Sequence, residues 1–256
     1  MEQKSKTSRR NFILTGAAAI SGTALLTMTG CDTQKNGQQT PVMKKFPKGS
    51  VILFQGDSIT DMHRDRKNLN PNNIGAMGYG YPAHISGNLL TEQARQQYKI
   101  YNRGISGNKV FQLADRWQED CLDIKPDILS ILIGVNDIWH TLSGHYPEGS
   151  VEKYKDDYNA LLKRTKKALP DVKIIICEPF VLKVGAVDDR WFPEFDNYRK
   201  VAKEMADEYA DKFIPFQSMF NRAVKEAPAE YWLPDGVHPS IAGAYLMAKE
   251  WLKYTL

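Results

Sequence analysis

The chain has 256 residues, 42% hydrophobic and 25% charged, the balance of a soluble globular domain with room for one well-buried core. Its formal charge of +4 is concentrated at the start, where Lys4, Lys6, Arg9 and Arg10 oppose Glu2 alone, so the body beyond residue 30 is nearly neutral. Nothing there points to the clustered basic surface on which nucleic-acid binding depends, and no nucleic-acid partner is expected.

Residues 1–30 read as an address rather than as fold. A polar, basic stretch precedes a mildly apolar one, Phe12 to Met28, and Met28-Thr29-Gly30-Cys31 resembles a bacterial lipobox, with Cys31 lipidated as the new N-terminus. Thr7-Ser8-Arg9-Arg10-Asn11-Phe12-Ile13 resembles a twin-arginine export signal; an ordinary basic leader is the alternative. A retained membrane span would want about 20 strongly apolar residues, and the Gly and Thr content here fits that poorly. The expectation is an exported bacterial lipoprotein, membrane-anchored or periplasmic, held through Cys31. Residues 31–47 then form a flexible tether, and 48–256 a single domain.

Within that domain, five short apolar runs recur: Val51–Phe54, Tyr98–Tyr101, Ile128–Ile133, Val172–Cys177 and Phe213–Phe216. Continuous apolar runs suit strands buried on both faces. Helical patterns lie between and after them, near 80–97, 109–123, 150–168, 194–210 and 240–254. The alternation predicts a doubly wound, three-layer α/β/α sandwich around a parallel sheet of about five strands. Cys121 and Cys177 fall in helical and strand patterns and read as small core residues, not as a disulfide framework.

Sheets of this kind carry their sites at the carboxyl ends of the strands. Small and amide-bearing residues stand there: Gly56-Asp57-Ser58 after the first run, Asn102-Arg103-Gly104 after the second, Gly134-Val135-Asn136-Asp137 after the third. Ser58 opens a helix-like stretch, so it is either a nucleophile at a helix start or a plain helix cap. Asp235-Gly236-Val237-His238 puts a carboxylate three residues before an imidazole. Such a pair can free Nε2 to take a proton, or can be a solvated loop.

Gly56-Asp57-Ser58-Ile59-Thr60, Gly104, Gly134-Val135-Asn136-Asp137 and Asp235-Gly236-Val237-His238 together resemble the four blocks of the SGNH, or GDSL, hydrolase family, in the family's order. The resemblance covers residues 51–254 and implies a flavodoxin-like serine hydrolase. By that resemblance Ser58 is the nucleophile, His238 the base and Asp235 its orienter. Ser58, Gly104 and Asn136 supply the oxyanion donors, two through backbone N–H groups and Asn136 through its amide. Asp57 and Asp137 are expected to brace their own turns.

The residues around the blocks narrow the resemblance. Asp61 and Arg64, Gly80-Tyr81, Asn102 to Asn108, Arg116-Trp117 with Asp120, and Ile138-Trp139 are similar to a branch containing acetylxylan esterases and carbohydrate deacetylases. The implied reaction is hydrolysis of O-acetyl esters on an oligo- or polysaccharide through an acyl-enzyme. Asp57, Asp61, Arg64, Trp139 and Trp191 are candidate substrate contacts, with Asp61 and Arg64 either a pair near the site or a solvated or structural pair. Ordinary packing is the alternative for Trp139 and Trp191 and the favoured reading for Trp117 and Trp232. A lysophospholipase or thioesterase is the rival enzyme. An inactive carbohydrate-binding lipoprotein is a third reading, opposed by the presence of Ser58, Asn136 and His238. The five histidines form no close metal-binding pattern and no nucleotide fingerprint occurs, so neither metal nor organic cofactor is expected.

Overall fold

The computed structural model describes residues 46–256. The leader at 1–30, Cys31 and most of the tether lie outside the described residues. Five parallel strands run β1 (Val51–Gly56), β2 (Lys99–Asn102), β3 (Ile128–Leu132), β4 (Lys173–Cys177) and β5 (Lys212–Ile214), in the order β2-β1-β3-β4-β5. Ile52 pairs with both Ile100 and Ile128, and Ile128 with Lys173, so the four strands β2, β1, β3 and β4 are linked in one register. The apolar runs form these strands because both faces are covered: Ile52, Leu53, Phe54, Ile100, Leu129 and Ile131 are all fully buried.

Among the described residues ten α-helices accompany the sheet: α1 (Ser58–Asp61), α2 (Ile74–Met77), α3 (Tyr81–Glu92), α4 (Val110–Asp115), α5 (Val135–Leu142), α6 (Val151–Ala168), α7 (Glu194–Tyr209), α8 (Phe216–Ala223), α9 (Ala229–Trp232) and α10 (Ile241–Thr255). Helix α3 packs with α10, and α6 packs with both α4 and α7, the two groups expected when right-handed crossovers lead outward from the interior strand β1. Each group buries a tryptophan whose indole N–H is satisfied. Trp251 donates to Ser130 Oγ at 3.1 Å and Trp117 to Thr165 Oγ1 at 2.9 Å. Cys121 and Cys177 are buried free thiols, and burial pushes the Cys177 thiol up to about 12. Among the described residues no helix is long and apolar enough to cross a membrane.

Two elements depart from the sequence pattern. The run Phe213–Phe216 is a strand only as far as Ile214, because Pro215 has no N–H for the ladder and Phe216 already opens α8. The pattern at 109–123 breaks into α4 and a separate wide turn, Gln118–Leu122.

Candidate active site

The carboxyl end of β1 delivers Ser58. Gly56 ends the strand in a crowded position, where a Cβ would lie 2.3 Å from Leu132 O and 2.4 Å from Thr60 Oγ1. Asp57 then caps the single-turn helix α1. Its Oδ1 accepts from Ile59 N–H at 3.0 Å, and its carbonyl accepts from Thr60 and Asp61 N–H. The capping role therefore falls on Asp57, and Ser58 is the first helical residue. The Ser58 hydroxyl is free of the cap and lies 2.7 Å from His238 Nε2. No hydrogen bond among the described residues uses the Ser58 N–H.

His238 sits on the loop between α9 and α10. Its Nδ1 is 2.6 Å from Asp235 Oδ2, while Asp235 Oδ1 accepts the backbone N–H groups of His238 at 2.7 Å and Val237 at 2.9 Å. Burial raises the Asp235 carboxyl, but the His238 and Val237 hydrogen bonds outweigh it and hold the group below the usual carboxylate range. The segment after β4 clasps this loop: Leu182 N–H donates to Gly236 O and Ala186 N–H to Asp235 O, both at 2.9 Å. Gly236, at φ +87°, leaves room for that contact, since a Cβ there would lie 2.3 Å from Val184 O.

Asn136 comes from the first turn of α5, directly after β3, and one of its amide N–H bonds goes to Asn108 O at 3.2 Å. Asn108 closes the turn after β2, held to β1 by Ile105 N–H on Gly56 O at 3.0 Å. Ser106 secures the same turn to α1, donating its N–H and hydroxyl to Asp61 Oδ2 at 2.9 and 2.6 Å. These contacts bring the ends of β1, β2 and β3 together around Ser58.

This turn corrects one expectation. The Gly104 N–H donates to Asn102 Oδ1 at 2.9 Å, and a Cβ on Gly104 would lie 2.5 Å from Asp61 N. Gly104 is a packing glycine that lets the β2 turn press against α1, and its N–H is already spent. The glycine that keeps its amide is Gly107, at φ +82°, whose N–H takes no partner among the described residues.

A hydroxyl on one imidazole nitrogen, a carboxylate on the other and unspent N–H groups nearby are equipped for nucleophilic attack on an ester carbonyl. The GDSL-like lipase/acylhydrolase family model matches residues 54–246. An acetylxylan esterase of Geobacillus stearothermophilus is 36% identical over 211 residues, 82% of this chain and 95% of that protein. A crystal structure described as that of a GDSL-like lipase from Parabacteroides merdae superposes with a TM-score of 0.79 at 53% identity, over 82% of this chain and 96% of that one. The crystal structure of Axe2, the Geobacillus stearothermophilus acetylxylan esterase, gives a TM-score of 0.74 at 34% identity, over 82% and 95% of the two chains. The chain belongs to the GDSL hydrolase family. It is a carboxylic ester hydrolase with the family's parallel α/β fold.

Within this GDSL hydrolase the other sequence-predicted contacts divide. Asp57 is 1% exposed and turned into its own cap, so it does not meet substrate. Burial pushes its carboxyl up to about 7, with Asp137 adding to the rise; Asp137 is likewise pushed to about 7 by burial and accepts from Val110 N–H. Asp61 and Arg64 do not pair through their side chains. Asp61 takes Arg66 and Ser106, and Arg64 Nε donates to Gly104 O at 2.7 Å. Both are buried, and their hydrogen bonds tie α1 and the segment after it to the turn after β2. Trp191 is also corrected: it is 2% exposed, donates to Ala186 O and packs against Trp139 and Phe195. Trp139 is half-buried and stands 6.1 Å from the His238 ring, which leaves it as the aromatic beside that imidazole. Trp117 and Trp232 pack, each with its indole N–H bonded.

Proposed function

We propose that this enzyme is a serine acetylesterase that removes O-acetyl groups from carbohydrates through an acyl-enzyme. The observation that carries the chemistry is the unbroken line Ser58 Oγ, His238 Nε2, His238 Nδ1, Asp235 Oδ2, with links of 2.7 and 2.6 Å. Ser58 Oγ attacks the acetyl carbonyl carbon as His238 Nε2 takes its proton. Asp235 keeps the ring in the Nδ1–H tautomer and stabilises the imidazolium. The carbonyl oxygen becomes an oxyanion facing the Ser58 N–H, the Gly107 N–H and the second N–H of the Asn136 amide. The tetrahedral adduct collapses, the C–O bond to the sugar breaks, and His238 returns the proton to the leaving alkoxide. Water then attacks acetyl-Ser58, again giving its proton to His238, and acetate leaves with Ser58 restored.

The substrate class is supported by the likeness to acetylxylan esterase over most of both chains. Axe2 variants described as catalytic mutants replace a serine, a histidine and an aspartate by alanine, and the last two stand three positions apart, the spacing of Asp235 and His238. The lipobox-like Met28–Cys31 supports export and anchoring at a bacterial membrane. Acetate release across a panel of acetylated polysaccharides and oligosaccharides tests the substrate. A preference for p-nitrophenyl esters of about eight carbons or more over the acetate would sink the carbohydrate reading in favour of a lipid acyl hydrolase, whose acyl chain needs an apolar groove.

A further inference from the structure

Lys109 is a buried lysine. It is 6% exposed, its ammonium lies over the rings of Phe111 and Tyr146, and its hydrogen-bond acceptor among the described residues is His140 Nδ1, at 3.0 Å. An ammonium has donors and no acceptor, so the bond makes Nδ1 the acceptor of a neutral imidazole and puts the ring proton on Nε2. Burial first, then Lys109 and His145, disfavour the charged form of His140. Nε2 takes no partner among the described residues, and the ring is half-buried rather than sealed.

The place of this ring matters. His140 stands one helical turn beyond Asn136 on α5, hence on the same side of that helix. Its Cε1 faces Gly107, 3.9 Å from where a Cβ on that glycine would be. The ring thus sits beside both Gly107 and Asn136, with Trp139 next to it on α5 and near His238. A substrate whose acetyl oxygen meets Gly107 and Asn136 is bound on the side of α5 that carries this ring.

We propose that His140, held as the Nε2–H tautomer by Lys109, is a specificity-determining residue that donates a hydrogen bond to a hydroxyl or ring oxygen of the sugar bearing the acetyl group. This rests on the carbohydrate reading above and names a binding residue within it. A fixed donor rewards a hydroxyl-bearing leaving group and gives nothing to one without such oxygens.

The test compares kcat/KM for an acetylated xylo-oligosaccharide with kcat/KM for p-nitrophenyl acetate, whose leaving group lacks sugar oxygens. The expected result for His140→Leu is a fall in the sugar-to-aryl ratio of about ten- to hundredfold, the scale of losing one hydrogen bond to a desolvated hydroxyl. His140→Gln, which restores an N–H near the Nε2 position, should hold the ratio within about fivefold of the parent. Lys109→Met should lower it by releasing the tautomer. Ring 15N chemical shifts of the unmodified enzyme should report His140 as Nε2–H. A structural role would lower both esters together and leave the ratio unmoved, and that result in both His140 variants overturns the proposal. So does an Nδ1–H ring. If the unmodified enzyme cleaves p-nitrophenyl acetate but releases no acetate from any acetylated sugar, the carbohydrate reading itself has failed and takes the proposal with it.

Discussion

The site holds two kinds of aspartate, and they differ in what surrounds them. Asp235 lies on a partly open loop, yet it accepts three hydrogen bonds, two from backbone N–H groups and one from His238. Asp57, immediately beside Ser58 in the sequence, is buried; one oxygen accepts from Ile59 N–H, while Oδ2 has no partner among the described residues. Asp137, next to Asn136, repeats the pattern with an unpartnered Oδ2. The donors keep Asp235 ionised and below the usual range, whereas burial with too few donors pushes Asp57 and Asp137 to about 7. Nearness in sequence to a reacting group is therefore a poor guide to partnership. What counts is which nitrogen the carboxylate faces.

The largest expected effect breaks this comparison most openly. Asp235→Asn should lower kcat by about 10⁴-fold, because the amide no longer enforces the Nδ1–H tautomer. Asp57→Asn, which can keep the cap on Ile59, should cost less than about tenfold in kcat. Steady-state rates on p-nitrophenyl acetate decide it, and equal losses would erase the distinction. Next comes Asn136→Ala, expected to lower kcat by about 10²–10³-fold as an oxyanion donor, with little change in KM. Near-normal turnover would move the donor role elsewhere.

A smaller effect appears in stability. The folded-state values of Asp57 and Asp137 are raised, so between about pH 4 and 7 the native protein keeps protons that the unfolded chain has released. Each group therefore costs stability as pH rises through that window, at most about 1.4 kcal/mol per pH unit. Asp137→Asn should gain on the parent in urea unfolding when pH goes from 5 to 7. Asp235 runs the other way. Its lowered value contributes stability that is present above the ordinary carboxylate range and lost on acidification. The smallest effect belongs to Trp191→Phe, which alters a buried packing contact on Trp139: a modest loss of stability of about 1–2 kcal/mol and little change in turnover are expected.

Much of this was legible in the chain itself. The five apolar runs become the five strands because a doubly covered sheet needs unbroken apolar residues. Ser58 stands at a strand end, and it comes together with His238 and Asp235 in the arrangement that the block order implies. The errors arise where two glycines or two charges compete within one turn. Gly104 and Gly107 lie three residues apart, and only the fold shows Gly104 pressed on Thr60 and Asp61 with its N–H given to Asn102. A clue was present, since Ser106-Gly107-Asn108 is the kind of triplet that places a glycine at positive φ. Asp61 has Arg64 and Arg66 within five residues, and in the fold it takes Arg66 while Arg64 goes to Gly104 O. Trp191 looked like a loop aromatic, but the segment carrying it folds back under Trp139. His140 carried no sequence signal, because its partner Lys109 comes from a different strand end.

The central claim is that Ser58 is the nucleophile and that His238 with Asp235, not Asp57, activates it. Labelling with a fluorophosphonate probe, followed by intact-mass and peptide mapping, tests it most directly. The account predicts one adduct on the peptide carrying Ser58, none in Ser58→Ala, slow formation in Asp235→Asn and near-normal formation in Asp57→Asn. An adduct that survives Ser58→Ala, or labelling slowed more by Asp57→Asn than by Asp235→Asn, would contradict it.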